Sequence, residues 1–159
     1  MNMLFSEKQK MSFWWLWVLL WVITLIPAYG IYKQIIIGVP FGGNPMSNTG
    51  LIIFLTVMLL ILLLIWMIEL KTEITEKYIL VHFFPFFKTK YLWSEIESAE
   101  MVNYGFVGYG IRIGTKYGTV YNTRGNKGMA IQLKNDTKYC IGTQKESALQ
   151  KVLEVINNK

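Results

Sequence analysis

The chain has 159 residues, a net charge of +6, and 53% hydrophobic against 16% charged residues. That length holds one modest domain with an additional element, and the composition is too apolar for an ordinary soluble domain. One cysteine, Cys140, and one histidine, His82, exclude an internal disulfide, a CxxC metal or redox motif and any cluster of histidine ligands within one chain.

The apolar excess is confined to the first half. No charged residue lies between Lys10 and Lys33, and none between Lys33 and Glu69. From Lys71 onward charges return, so a boundary falls near Leu70–Lys71. Met11 to Tyr32 is a run of 22 uncharged residues. As a helix at ~1.5 Å per residue it reaches ~33 Å, enough for a ~30 Å hydrocarbon core. Trp14, Trp15 and Trp17 crowd one end, with Trp21 deeper, and Tyr29 and Tyr32 mark the other, as interfacial belts do. Leu51 to Ile68 is a second run, of 18 residues, with Trp66 near its far end. The remaining chain is too small to bury two all-apolar helices as a soluble core. Lys8 and Lys10 resemble the n-region of a signal peptide. The long apolar run, the lack of a small-x-small site before Tyr29 and the second span favour a retained anchor.

These features predict a membrane region over residues 1–70, with spans at about 12–32 and 50–69. Lysines near the span ends orient it. Lys8 and Lys10 precede the first span, and Lys71, Lys77, Lys88 and Lys90 follow the second. The connection, KQIIIGVPFGGNPMSNTG, carries only Lys33. Both termini are therefore expected in the cytoplasm of a multi-pass cell-membrane protein, with the connection lying at the outer interface.

After residue 70 the pattern is mostly period two. Runs at 79–83, 87–93, 96–100, 111–113, GTVYNT, 129–133 and KYCIG are separated by Pro85, the Gly105–Gly110 cluster and residues 116–118, 124–128 and 135–136. About seven short antiparallel strands are predicted, as a barrel or sandwich. In HFFPFFK (82–88), Pro85 suits a turn between two strands because it has no ladder donor. Some of the four phenylalanines are expected to pack and one or two to point outward. Thr143-Gln144-Lys145-Glu146 fits a capping box, and Leu149, Val152, Leu153 and Ile156 fall on one helical face. A C-terminal capping helix is predicted.

At this point the chain resembles the bacterial two-span membrane proteins with a C-terminal pleckstrin-homology-like (PH-like) domain. The segments that carry the resemblance are GVPFGGNPMS, FFPFFK, WSEIESAE, GIRIG, YNTRGNKG and IGTQKESAL. The resemblance implies a small two-sheet antiparallel barrel closed by the helix over 71–159, and no established biochemical activity. The basic phosphoinositide loop of eukaryotic PH domains has no counterpart: PFFKTK offers Lys88 and Lys90 without a Lys-x-Arg cluster.

Candidate chemistry is sparse. His82 sits among aromatics, which favours a packed or surface histidine over a general base. Glu95, Glu97 and Glu100 read as solvated carboxylates beside a turn, with Ile96 and Ala99 inward. GFVGYG lacks the helix that phosphate-cradling loops need and reads as a hairpin loop. TRGNKG reads as a hairpin turn whose glycine amides, with Arg124 and Lys127, could contact an anion. Arg112 could share a surface with it. Residues 71–159 hold 13 lysines and arginines against 8 acids, net +5. Each basic residue near anionic lipid contributes ~1 kcal/mol, so a tethered domain would rest against its own membrane. Scattered charge argues against nucleic acid as a partner.

The expected function is a membrane-anchored, non-catalytic module that contacts lipid, a protein partner or a second copy, without a cofactor. Its expected binding residues are Arg112, Arg124, Lys127, Lys88 and Lys90. An oligomeric transport or channel component is the alternative, although the spans offer only Thr24 and Thr56 as polar groups. A membrane enzyme acting on lipid or peptide is a third reading.

Overall fold

A computed structural model describes residues 2–11 and 13–157. They form two compact units: Phe13–Met67, and a second unit that joins the N-terminal segment to the chain from Ile68 onward.

The first unit holds helices α1 (Trp14–Ile31) and α2 (Asn48–Met67), and a π-helical turn, Tyr32–Ile36, continues α1. Leu20, Met58 and Leu62 pack together, flanked by Trp17 and Ile65, while Leu51 meets Gly30. The helices therefore run antiparallel. Trp14–Ile36 and Asn48–Met67 are long and apolar enough to cross a membrane. Only 22% and 17% of their apolar windows are buried, unlike the core helices of a soluble protein. The Thr24 and Thr56 hydroxyls bond within their own helices, Thr24 to the Leu20 carbonyl at 2.7 Å and Thr56 to the Ile52 carbonyl at 2.8 Å. The connection is held by Gln34, whose Nε2 donates to Met46 O and Asn48 Oδ1 at 2.7 Å each. Its Oε1 accepts the Phe41 amide at 3.2 Å.

The second unit is mostly β, with two sheets and a C-terminal helix. Nine strands form among the described residues: β1 (Met3–Lys10), β2 (Glu69–Thr75), β3 (Tyr78–Phe84), β4 (Phe87–Leu92), β5 (Ile96–Asn103), β6 (Gly110–Thr115), β7 (Gly118–Asn122), β8 (Lys127–Leu133) and β9 (Lys138–Gly142). Helix α3 (Glu146–Asn157) follows. The first sheet is a plain meander, β1-β2-β3-β4, and the second has the order β5-β8-β9-β7-β6. Phe5, Leu70, Val81 and Phe83 of the first sheet meet Met129, Ile131 and Ile141 of the second, with Leu149 and Leu153 of α3 in the same core. Each such side chain contributes ~1.5–3 kcal/mol on burial.

Four expectations change. The predicted membrane region, 1–70, loses its start: Met3–Lys10 is a strand of the sheet unit, paired with β2 from Met3↔Thr75 to Lys10↔Glu69. Its inward positions are Phe5, Glu7 and Gln9, so two of three are polar and the period-two apolar signal is absent. With β2, it raises the strand number from about seven to nine. Second, the arrangement is not wholly antiparallel, because β7 and β9 are parallel.

Third, two connections read as hairpins are crossings. Residues 123–126 carry the chain from β7 past β9 to β8, and residues 104–109 link β5 and β6, the opposite edges of the second sheet. The close approach of β9 depends on glycine. A Cβ at Gly128 would lie 2.4 Å from the Ile141 carbonyl oxygen, and one at Gly118 would clash with the Lys138 carbonyl.

Fourth, the capping box does not close. The Glu146 carboxylate is taken by Lys127 Nζ at 2.7 Å, and β1 supplies the acid. Glu7 Oε2 accepts the Thr143 hydroxyl at 2.6 Å and Glu7 Oε1 accepts the Gln144 amide at 2.9 Å. The Thr143 hydroxyl oxygen accepts the Lys145 amide at 3.0 Å. Beside it, Gln9 Nε2 donates to the Gly142 carbonyl at 2.7 Å, and the Thr123 hydroxyl donates to Gln9 Oε1 at 3.0 Å.

Glu7→Ala should therefore destabilise the sheet unit by ~1–3 kcal/mol, because it strands buried donors at the entry to α3. Thermal unfolding of the full-length protein should shift down, with hydrogen exchange of the Leu149 and Leu153 amides accelerated first. Gly128→Ala should be at least as damaging, since backbone and not a flexible side chain blocks the new methyl.

Candidate functional site

The outer face of the first sheet gathers five lysines, Lys8, Lys10, Lys71, Lys88 and Lys90. Strand alternation sends Ile79, Val81 and Phe83 inward and Leu80, His82 and Phe84 outward. Register then aligns outward residues across the strands. One row reads Lys8, Lys71, His82 and Lys88 on four consecutive strands. The row towards one end of the sheet reads Lys10, Glu69 and Phe84, and the row on the other side reads Ser6, Glu73, Leu80 and Lys90.

Carboxylates answer part of this charge. Lys71 pairs with Glu73 at 2.5 Å, and Lys8 lies 3.9 Å from Glu69. On β4 the compensation ends: Lys88 forms no ion pair among the described residues, and Lys90 stacks over the Tyr78 ring at 4.0 Å. A cation over an aromatic face keeps its full charge. Tyr78, Leu80, Lys88, Thr89 and Lys90 line a shallow, open depression here.

The turn after β3 ends this face. Phe83 is 2% exposed and stacks on Phe87 at 6.0 Å between ring centroids, while Phe87 touches Tyr121 at 4.7 Å. Phe84 is 39% exposed and Phe86 55% exposed. The turn is closed by the Phe86 amide on the Phe83 carbonyl at 2.8 Å. Two rings thus anchor the hairpin and two project from it.

The other expected binding residues are dispersed. Arg112 lies on the edge strand β6, its guanidinium packed over Gly108 so closely that a Cβ there would meet Nε at 2.7 Å. Arg124 is exposed in the 123–126 crossing beside Gly125, whose φ of +90° is a glycine conformation. Lys127 is committed to Glu146. Of the five, only Lys88 and Lys90 share a strand and a face. Sequence reasoning missed Lys8 and Lys71 as members of this face. The sequence sets Lys8 beside a span, and only the β1–β2 register brings it opposite Lys71.

The chemistry-bearing groups lie apart. His82 is on the outer face with its ring edge-on to Phe84 at 5.8 Å, whereas Cys140 is fully buried in the second sheet. Glu95 caps the Leu92 amide at 3.2 Å, and Glu97 faces Gln132 at 3.3 Å. Among the described residues, no group of three His, Cys, Asp or Glu side chains gathers as metal ligands. Burial also raises the Tyr91, Tyr104 and Tyr121 hydroxyls above their usual range.

Burial pushes the Cys140 thiol up to about 12. The raised value favours the neutral thiol, and only the thiolate attacks alkylating agents. Iodoacetamide at neutral pH should therefore leave Cys140 unmodified in the folded protein and label it after denaturation; labelling at equal rates in both states would contradict this burial. No family model, curated protein or solved structure matches the chain.

Proposed function

We propose that the chain is a membrane-anchored, non-catalytic module, with a PH-like sheet domain held at the cytoplasmic face to make contacts there. The observation that carries this reading is the pairing of β1 with β2. These strands flank the helical unit in the chain and end at the partnered residues Lys10 and Glu69. If α1 crosses the bilayer, α2 must bring the chain back to the same side, because β1 and β2 belong to one sheet. Both termini then share that side. Lys8, Lys10, Lys71 and Lys77 lie there against Lys33 alone on the other, which is the cytoplasmic signature.

An anchor fits the helices better than a solute pathway does. Thr24 and Thr56 are satisfied by their own backbone, and a pathway is usually marked by ionisable or unsatisfied polar groups. Contact at a surface fits the sheet domain better than catalysis does, since its histidine and its cysteine belong to different sheets.

Impermeant thiol labelling in intact cells tests the arrangement, with Asn44→Cys in the connection and Ser94→Cys after β4. Cys140 is buried and gives a low background. Labelling at position 44 without permeabilisation, and at position 94 only with it, is the expected pattern. The reverse pattern, or labelling of both in intact cells, would contradict it.

A further inference from the structure

We infer that the outer face of the first sheet is a contact surface for anionic phospholipid headgroups, with Phe84 and Phe86 as its apolar foot. This rests on the proposed anchoring and names what the anchored domain touches. Three observations converge on it.

The first is distance along the chain. Row Lys10–Glu69–Phe84 is where β1 ends and β2 begins, a few residues from α1 and α2. Outward rows repeat every ~7 Å along a strand. The row containing Lys88 is therefore ~7 Å beyond those strand ends, inside the ~10 Å screening length of a salt solution, and the row containing Lys90 is ~14 Å beyond.

The second is charge. Lys8 and Lys71 face each other directly across β1 and β2, an arrangement that costs stability on its own. Glu69 and Glu73 offset those two lysines, but nothing on β4 offsets Lys88 and Lys90. A sheet with surplus cations, tethered by a few residues to two membrane-length helices, has anionic headgroups as a matching partner at no further cost in diffusion. Lysine suits this role as a point charge on a flexible stem.

The third is the turn. Phe84 and Phe86 project from the end of the sheet that carries Lys10 and Glu69, while Phe83 and Phe87 hold the hairpin in the core. Exposed aromatic rings at an interface bury apolar area while neighbouring cations engage headgroups. Charge and apolar foot thus sit on one face and at one end.

The test uses the full-length chain in nanodiscs of phosphatidylcholine, with or without phosphatidylglycerol, each carrying a trace of headgroup-photoactivatable lipid. Crosslinks should concentrate on residues 82–90 and rise with phosphatidylglycerol. Lys88→Gln should lower that rise by about fivefold, the equivalent of ~1 kcal/mol, and adding Lys90→Gln, one row farther and beyond the screening length, should lower it further but by less than a second fivefold. Lys88→Arg with Lys90→Arg should keep it, and Arg124→Gln should not change it. Phe84→Ser with Phe86→Ser should lower the yield in both lipid mixtures while thermal unfolding stays in place, since both rings are exposed.

Equal crosslinking with and without phosphatidylglycerol would overturn the assignment, as would crosslinks centred on residues 110–124. Protection of residues 80–90 from hydrogen exchange in native membranes but not in nanodiscs would give the face to a protein instead. A chain that enters nanodiscs yet shows no contact on this face overturns the lipid surface alone. One that fails to enter nanodiscs overturns the anchoring with it.

Discussion

The pairing of Lys10 with Glu69 is the constraint on which the other features depend. It joins residues that the whole helical unit separates in the chain, and it makes that unit an insertion into a sheet. Closing so long a loop costs entropy that grows only slowly with length. The antiparallel contact of α1 with α2 offsets part of that cost, because it holds the start of α1 and the end of α2 on the same side of the helical unit. Once β1 and β2 pair, the sheet unit holds the described segments on both sides of the helical unit, and any crossing by α1 must be matched by α2.

β1 contributes more than an edge strand. Its Phe5 enters the core, and its two inward polar side chains reach the second sheet and the start of α3. Glu7 replaces the local glutamate that would normally cap the helix, which leaves Glu146 for Lys127. Gln9 ties the last residue of β9 to the crossing between β7 and β8. Buried polar groups of this kind stabilise only when fully bonded, and they select one packing over others. A segment of eight residues therefore decides the closure of the domain and fixes where the helical unit leaves it.

Much of this architecture is legible in the sequence, for identifiable reasons. The two apolar helices follow from uninterrupted runs without charge, and the strands with Val, Ile and Phe at alternate positions announce themselves. The inward and outward split of HFFPFFK follows from alternation once Pro85 fixes the turn. β1 is not legible, because Glu7 and Gln9 stand where apolar residues would reveal a buried face. The order β5-β8-β9-β7-β6 is hidden for a different reason. Gly118 and Gly128 permit the close approach of β9, but a glycine next to a polar turn looks the same in a hairpin and in a crossing. The cationic face follows suit: Lys88 and Lys90 are visible as an alternating pair, whereas Lys8 and Lys71 join them only through a long-range register.

The insertion of the helical unit between two paired strands can be tested by engineered disulfides in native membranes. Cysteines at Lys8→Cys and Lys71→Cys sit directly opposite each other in the register, and Lys8→Cys with Glu76→Cys does not. The account predicts that mild oxidation links the first pair and not the second, so that cutting the connection between α1 and α2 leaves the two halves covalently joined. Failure of the first pair to link, or equal linking of both, would contradict the pairing of β1 with β2.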